Sequence, residues 1–328
     1  MRDPKTPPFS ELLPTPNEGT RNLTSTTPSL QPATAAMDQG FDALRRSVRL
    51  RTMFPITQRL CPPRSERFWA IGGNPGNYKT VLAWNMACDM AVLRQRVLFV
   101  SLEESTGALA VKAVARYARI PVDVMERAQS GEGYRFTNEQ SEGLAVAAGK
   151  LAETELYLRL HGAEEHGRTM QDILRSATRT RFDAIFVDHL RMIGRGTGRS
   201  KFEVLEDAID KLRALAHGEH LKGYTPLVVA LSPLNREDSK EGDADRLPRL
   251  SDFYGSQQIE SDADVAVIVK KRPAKEDSED PDIVDAFVLK QRGGRCPLVL
   301  QFEAQGAICA VTERRPEPTP PQHWTGDR

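Results

Sequence analysis

The sequence has no excess of either charge, few cysteines and no long apolar run. Lys+Arg and Asp+Glu are 45 each in 328 residues, so no global field draws the chain to nucleic acid or to an anionic membrane. A local basic channel is compatible with that balance. Among four cysteines (Cys61, Cys88, Cys296 and Cys309) no two form a C-x-x-C pair, and none stands at metal-ligand spacing from a histidine. Reduced, mostly structural thiols in a cytoplasmic protein are the expectation. No stretch approaches the roughly 18 apolar residues of a membrane span. The N-terminus is rich in Pro and Thr and lacks the apolar core of a signal peptide. His217 and His220 lie three apart near a helix end, but no third ligand joins them and no metal site is expected there.

What is present has a clear order. Residues 1–40 are rich in Pro, Thr and Ser and read as a disordered tail, as do residues 313–328. Residues 41–63 read as a linker helix or segment. Within it Phe41, Leu44 and Val48 share a helical face, which fits either a surface helix or one docking on a neighbouring subunit. From 64 to 312, short apolar runs alternate with amphipathic stretches. The runs are Phe68–Ile71, Val97–Val100, Ala184–Val187, Leu227–Leu231 and Val265–Val269. Continuous runs of this kind are strands buried on both faces. With helical patterns such as Val81–Leu93 and Phe202–Ala216 between them, they predict an α/β fold with a mostly parallel central sheet and helices on both faces. Ala286–Lys290 and Leu298–Phe302 flank Arg292-Gly-Gly-Arg295 and read as a C-terminal β-hairpin.

The segment Gly73-Asn74-Pro75-Gly76-Asn77-Tyr78-Lys79-Thr80 follows a strand and opens a helix, which is the setting of a phosphate-binding P-loop. Backbone N–H groups at a helix N-terminus and the helix dipole favour an anion. Lys79 can reach the β- and γ-phosphates of ATP, and Thr80 can place its hydroxyl on Mg²⁺. The match to G-x-x-x-x-G-K-[ST] is incomplete, because Tyr78 stands at the second glycine. Tyrosine keeps the amide donor but adds bulk where little is tolerated.

Further along, Ser101-Leu-Glu-Glu-Ser105 puts a carboxylate, Glu103 or Glu104, at the end of the second strand, where it can orient and deprotonate an attacking water. Asp183-Ala-Ile-Phe-Val-Asp188 is a Walker B pattern, with Asp188 paired to Thr80 around Mg²⁺.

With these residues in hand, the stretch from about 64 to 312 resembles the C-terminal motor domain of DnaB-type hexameric helicases, a RecA-like P-loop NTPase. Gly73-Asn-Pro-Gly76 through Thr80 matches that family's P-loop apart from Tyr78. Val97-Leu-Phe-Val-Ser-Leu-Glu103 matches its second strand and makes Glu103 the catalytic glutamate. Asp188-His-Leu-Arg191 and Ala230-Leu-Ser-Pro-Leu-Asn-Arg236 resemble its Walker B and sensor elements. Ser251 to Asp264 follows a long family signature, and Lys290-Gln-Arg-Gly-Gly294 matches an element that reaches into the neighbouring subunit. The resemblance implies an ATP-hydrolysing DNA translocase or helicase, acting as a homo-oligomer, by analogy a hexameric ring. Lys290 and Arg292 would act in trans on the adjacent ATP. Single-stranded DNA and other replication proteins are the implied partners, in the cytoplasm. The helical N-terminal collar of full replicative helicases is expected to be missing.

Three departures bear on this reading: Tyr78, Pro233 in place of a γ-phosphate-sensing glutamine, and His189 with Arg191 after Asp188. Arg191 is open between phosphate contact and surface charge. The basic, glycine-rich loop with Arg195, Arg199 and Lys201 suits DNA backbone contacts, whereas residues 237–249 are predominantly acidic. Pro233 and the acidic loop keep a second reading open, a RecA- or KaiC-like ATPase that assembles on DNA or a protein without unwinding.

Overall fold

A computed structural model describes residues 67–314, apart from 131–133, 161–169, 194–199, 220, 222, 236–245, 274–279 and 293–295. The expected tails at 1–40 and 313–328 lie outside the described residues, except for the first two residues of the latter. The 41–63 segment, Arg195 and Arg199, most of the acidic loop and the tip of the hairpin also lie outside them.

The described elements run β1 (Phe68–Gly72), α1 (Lys79–Val92), β2 (Val97–Ser101), α2 (Thr106–Ala118), α3 (Val122–Gln129), α4 (Asn138–Ala152), β3 (Leu156–Leu160), α5 (Met170–Ala177), β4 (Ala184–Asp188), α6 (Lys201–Ala216), β5 (Leu227–Ser232), α7 (Ser256–Asp262), β6 (Val265–Lys271), β7 (Asp282–Gln291), β8 (Leu298–Gln305) and β9 (Ala310–Glu313). The strands form one sheet in the order β3-β2-β4-β5-β1-β6-β7-β8-β9. Pairing is parallel from β3 through β6 and antiparallel from β6 onward. The mostly parallel α/β sheet and the terminal hairpin are therefore both present, the latter with Ala286 opposite Leu300.

The apolar runs become strands because each is covered on both sides. On one face Phe68, Ala70, Leu98, Val100, Ile185, Val187, Val228 and Ala230 pack under α5, α6 and α7. On the other, Phe99 meets Trp84 of α1 edge-on at 5.0 Å and stacks on Phe186 at 5.8 Å. Each buried aromatic removes its whole surface from water and contributes about 2–3 kcal/mol. A smaller cluster of Ala115, Ile120 and Met125 joins α2 to α3 and α4.

Two strands were not foreseen. β3 is an edge strand, with Tyr157 exposed on one side and packed against Phe182 on the other. β9 is held by Asn85, a fully buried amide on α1, which donates to Cys309 O at 2.8 Å and accepts from Val311 N–H at 3.0 Å. Cys88 and Cys309 are buried thiols. Among the described residues, no helix is long and apolar enough to cross a membrane.

Candidate functional site

The parallel strands end together. Gly72 of β1 stands opposite Ser232 of β5, and Ser101 of β2 opposite Asp188 of β4. The crevice beyond the carboxyl ends of such strands is where ligands of open α/β sheets bind. The P-loop fills it.

Its backbone is shaped by a turn in which Asn77 N–H donates to Asn74 O at 3.2 Å, and by Gly76 at φ +82°. Gly73 is tightly packed, since a Cβ there would lie 3.1 Å from the Val269 carbonyl. Gly72 has to be glycine, because a Cβ would sit 2.6 Å from the buried Phe253 ring. Tyr78 adopts the left-handed conformation (φ 62°, ψ 15°) that glycine adopts freely, at a cost of about 1–2 kcal/mol for a side chain. Its carbonyl accepts from Leu82 N–H at 2.8 Å and so starts α1. The first N–H groups of α1 have no partner within the helix. No acidic residue stands in the first turn and no side chain caps it, so the helix end is an anion site by construction.

Asp188 lies at the end of β4, 1% exposed. Among the described residues neither carboxylate oxygen has a hydrogen bond of standard geometry. Burial pushes its pKa up to about 6, with Thr80 and Lys79 pulling it down and Glu103 and Glu104 pushing it further up. The residues named for the chemistry, Lys79, Thr80, Asp188 and Glu103, are thus brought to one place. A buried carboxylate short of partners beside a hydroxyl suits a divalent cation, and magnesium takes only one or two protein ligands alongside phosphate and water. No cluster of three or more His, Cys, Asp or Glu that could hold a metal occurs among the described residues.

The two glutamates after β2 separate clearly. Glu104 forms an ion pair with Lys112 on α2, and its backbone is tied to the Ser101 hydroxyl at 2.7 and 2.9 Å. Glu103 is 54% exposed on its side chain and reaches His189 Nε2 at 3.3 Å. His189, met in the sequence only as a departure after Asp188, is therefore in contact with the carboxylate named as the base. Arg191 is exposed and lies 5.7 Å over the Tyr254 ring, a cation–π contact. Pro233 accepts Tyr254 N–H at 3.1 Å, and the Asn235 amide holds Ser251 O and Phe253 O. The segment after β5 is thereby pinned to the 251–264 stretch.

Lys290 and Arg292 occupy a different place. Gln291 pairs with Val265, which pairs with Trp69 near the start of β1. The two cations therefore lie at the amino edge of the parallel strands, a strand length away from the P-loop at the other end. Lys290 Nζ donates to the carbonyls of Glu260 and Ser261, and Arg292 to Ser261 O at 3.0 Å, with its Nε 3.5 Å from Asp264. Partial burial, then the adjacent Arg292 charge, holds the Lys290 pKa below the usual lysine range. Asp264 is buried and also accepts from the N–H groups of Arg67 and Phe68 at 3.0 Å. Of the DNA-loop candidates, Lys201 is exposed at the first position of α6, after the capping Ser200.

A family model, the DnaB-like helicase C-terminal domain, matches residues 63–307. The chain belongs to that family. As a DnaB-like chain it is 29% identical over 213 residues to a probable plasmid replicative DNA helicase of Chlamydia trachomatis, covering 65% of this chain and 44% of the relative. It is also 29% identical over 233 residues to the replicative DNA helicase DnaB of Geobacillus stearothermophilus, covering 68% and 47%. The chain spans less than half the length of these relatives. Among solved structures, the ATPase domain of G40P superposes with a TM-score of 0.70 at 18% identity, covering 87% of this chain and all of that one. That likeness is one of fold: the same open α/β sheet with helices packed against it.

Proposed function

We propose that residues 64–312 are an ATP-driven motor of the DnaB type, which hydrolyses ATP at the interfaces of a homo-oligomeric, hexameric ring in the cytoplasm while gripping single-stranded DNA, alongside other replication proteins. The observation that carries this reading is Asp188, a buried carboxylate with no hydrogen bond of standard geometry among the described residues, drawn to Thr80 and Lys79 of the P-loop.

In this scheme the backbone N–H groups of residues 76–80 and the Lys79 ammonium hold the phosphates of ATP. Thr80 and Asp188 hold Mg²⁺, which when bound neutralises charge on the β- and γ-phosphates. Glu103, positioned by His189, accepts the proton of the attacking water. Lys290 and Arg292 cannot turn back to their own P-loop, because they sit at the opposite edge of the sheet. They serve the next protomer, which is the head-to-tail contact that closes into a ring. Lys201, with Arg195 and Arg199, faces the DNA backbone.

Steady-state ATP hydrolysis with and without single-stranded DNA tests this. Stimulation by DNA and unwinding of a tailed duplex are expected. DNA-stimulated hydrolysis without unwinding would favour the second reading, an ATPase that assembles on DNA, which Pro233 supports because it offers no side-chain donor at the sensor position. Hydrolysis indifferent to DNA would remove DNA from the proposal.

A further inference from the structure

The residue that breaks the P-loop motif has partners of its own. The Tyr78 hydroxyl donates to Asp282 at the start of β7 at 2.5 Å, and Lys271 of β6 holds the same carboxylate at 2.8 Å. Next door, Asn77 Oδ1 accepts Lys271 N–H at 3.3 Å. Two consecutive P-loop residues are thus stitched to the ends of β6 and β7. On its other side the phenol lies against Gly306, where a Cβ would come within 2.9 Å of the hydroxyl oxygen but stay 3.7 Å from the nearest ring carbons. Partial burial and then the Asp282 carboxylate push the phenol pKa upward.

We propose that Tyr78 is a positioning residue of the phosphate site, a latch that fixes the second half of the P-loop to β6–β7 through Asp282, and that Gly306 is the residue whose missing side chain admits it. In a standard P-loop, glycine reaches the left-handed turn without strain. Here the turn is reached by a strained tyrosine and held by a side-chain bond some 200 residues away in sequence. The backbone N–H groups of Lys79 and Thr80 follow directly from that turn, so their aim depends on the latch. This inference rests on the reading of the loop as a nucleotide site.

The experiment is a double-mutant cycle on the full chain with Y78F, G306A and the pair, plus K79A, read by binding of a fluorescent ATP analogue with Mg²⁺, by KM and kcat for ATP, and by thermal melting without nucleotide. Removing one hydrogen bond to a charged group should weaken nucleotide binding about three- to tenfold in Y78F, with the loss falling more on KM than on kcat. G306A should weaken binding at least as much and lower the melting temperature. Because only the hydroxyl approaches the new methyl, Y78F should rescue G306A, returning the pair to the level of Y78F alone. Unchanged binding in Y78F, or a G306A penalty that is the same in both backgrounds, overturns the latch. If K79A binds nucleotide as well as the wild type, the phosphate site itself is wrong, while the melting cycle still reports whether Tyr78 and Gly306 are coupled.

Discussion

The P-loop edge of the sheet and the hairpin edge treat their charges in opposite ways. At the P-loop edge Asp188 is buried with no hydrogen bond of standard geometry to its oxygens among the described residues, and Glu103 is largely exposed. Folding has left valences open there. At the hairpin edge Lys290 and Arg292 are satisfied by carbonyls and a carboxylate of their own chain. One edge is short of positive charge and the other holds it in reserve, and the sheet keeps the two apart within a protomer. On the proposed reading, such a chain keeps half of its reaction machinery away from its own P-loop and offers it to a copy.

The sharpest way to break that comparison is Arg292→Ala. If the hairpin cations act in trans, hydrolysis falls about 10³-fold or more, as for other arginine fingers. Mixing this variant with Lys79→Ala subunits, themselves inactive, restores part of the activity at the interfaces where an intact P-loop meets an intact Arg292. No recovery on mixing would place the two edges in separate roles.

A smaller effect separates the two glutamates. Glu103→Gln is expected to lower turnover about 10²–10⁴-fold while nucleotide still binds. Glu104→Gln, which removes only a partly exposed pair with Lys112, should stay within about fivefold. Equal losses, measured by single-turnover hydrolysis, would erase the distinction between the carboxylate set against His189 and the one tethered to Lys112.

The smallest expected effect concerns stability. Asp188→Asn abolishes the proposed cation site, yet it also removes a buried charge. The pKa of about 6 for Asp188 corresponds to a penalty of ~3 kcal/mol for the ionised form at neutral pH. The inactive variant should therefore melt roughly 6–12 °C higher than the wild type in the absence of magnesium and nucleotide. A lower melting temperature would mean that the carboxylate is better satisfied than its geometry indicates.

The legible parts of the molecule are those where local composition and long-range packing agree. β1, β2, β4, β5 and β6 announce themselves as continuous apolar runs because both of their faces are covered. β3 alternates Leu, Tyr, Leu, Arg, Leu, since an edge strand needs only one apolar face, and that pattern is too short to stand out. β9 is held by Asn85, whose partners are more than 220 residues away in sequence. The separation of Glu103 from Glu104 depends on Lys112, eight residues beyond Glu104, which carries no motif. Tyr78 could be seen as a departure, but its compensation by Asp282 and Gly306 is a meeting of distant strands. Motifs record what touches a common ligand; what holds a departure in place is recorded only in the packing.

The order of the strands has a consequence for how the chain is made. β1 lies between β5 and β6, pairing Phe68 with Val228 and Trp69 with Val265. During synthesis the strand that carries the P-loop emerges among the first elements of the domain. It has no neighbour to pair with until the ribosome has added some 160 further residues. Until then a wholly apolar strand, Phe-Trp-Ala-Ile-Gly, stays unpaired beside a loop that cannot yet bind nucleotide. Pairings this distant form slowly and leave sticky strands open to other chains, so the period before β5 and β6 arrive is when β1 is most exposed to wrong pairing.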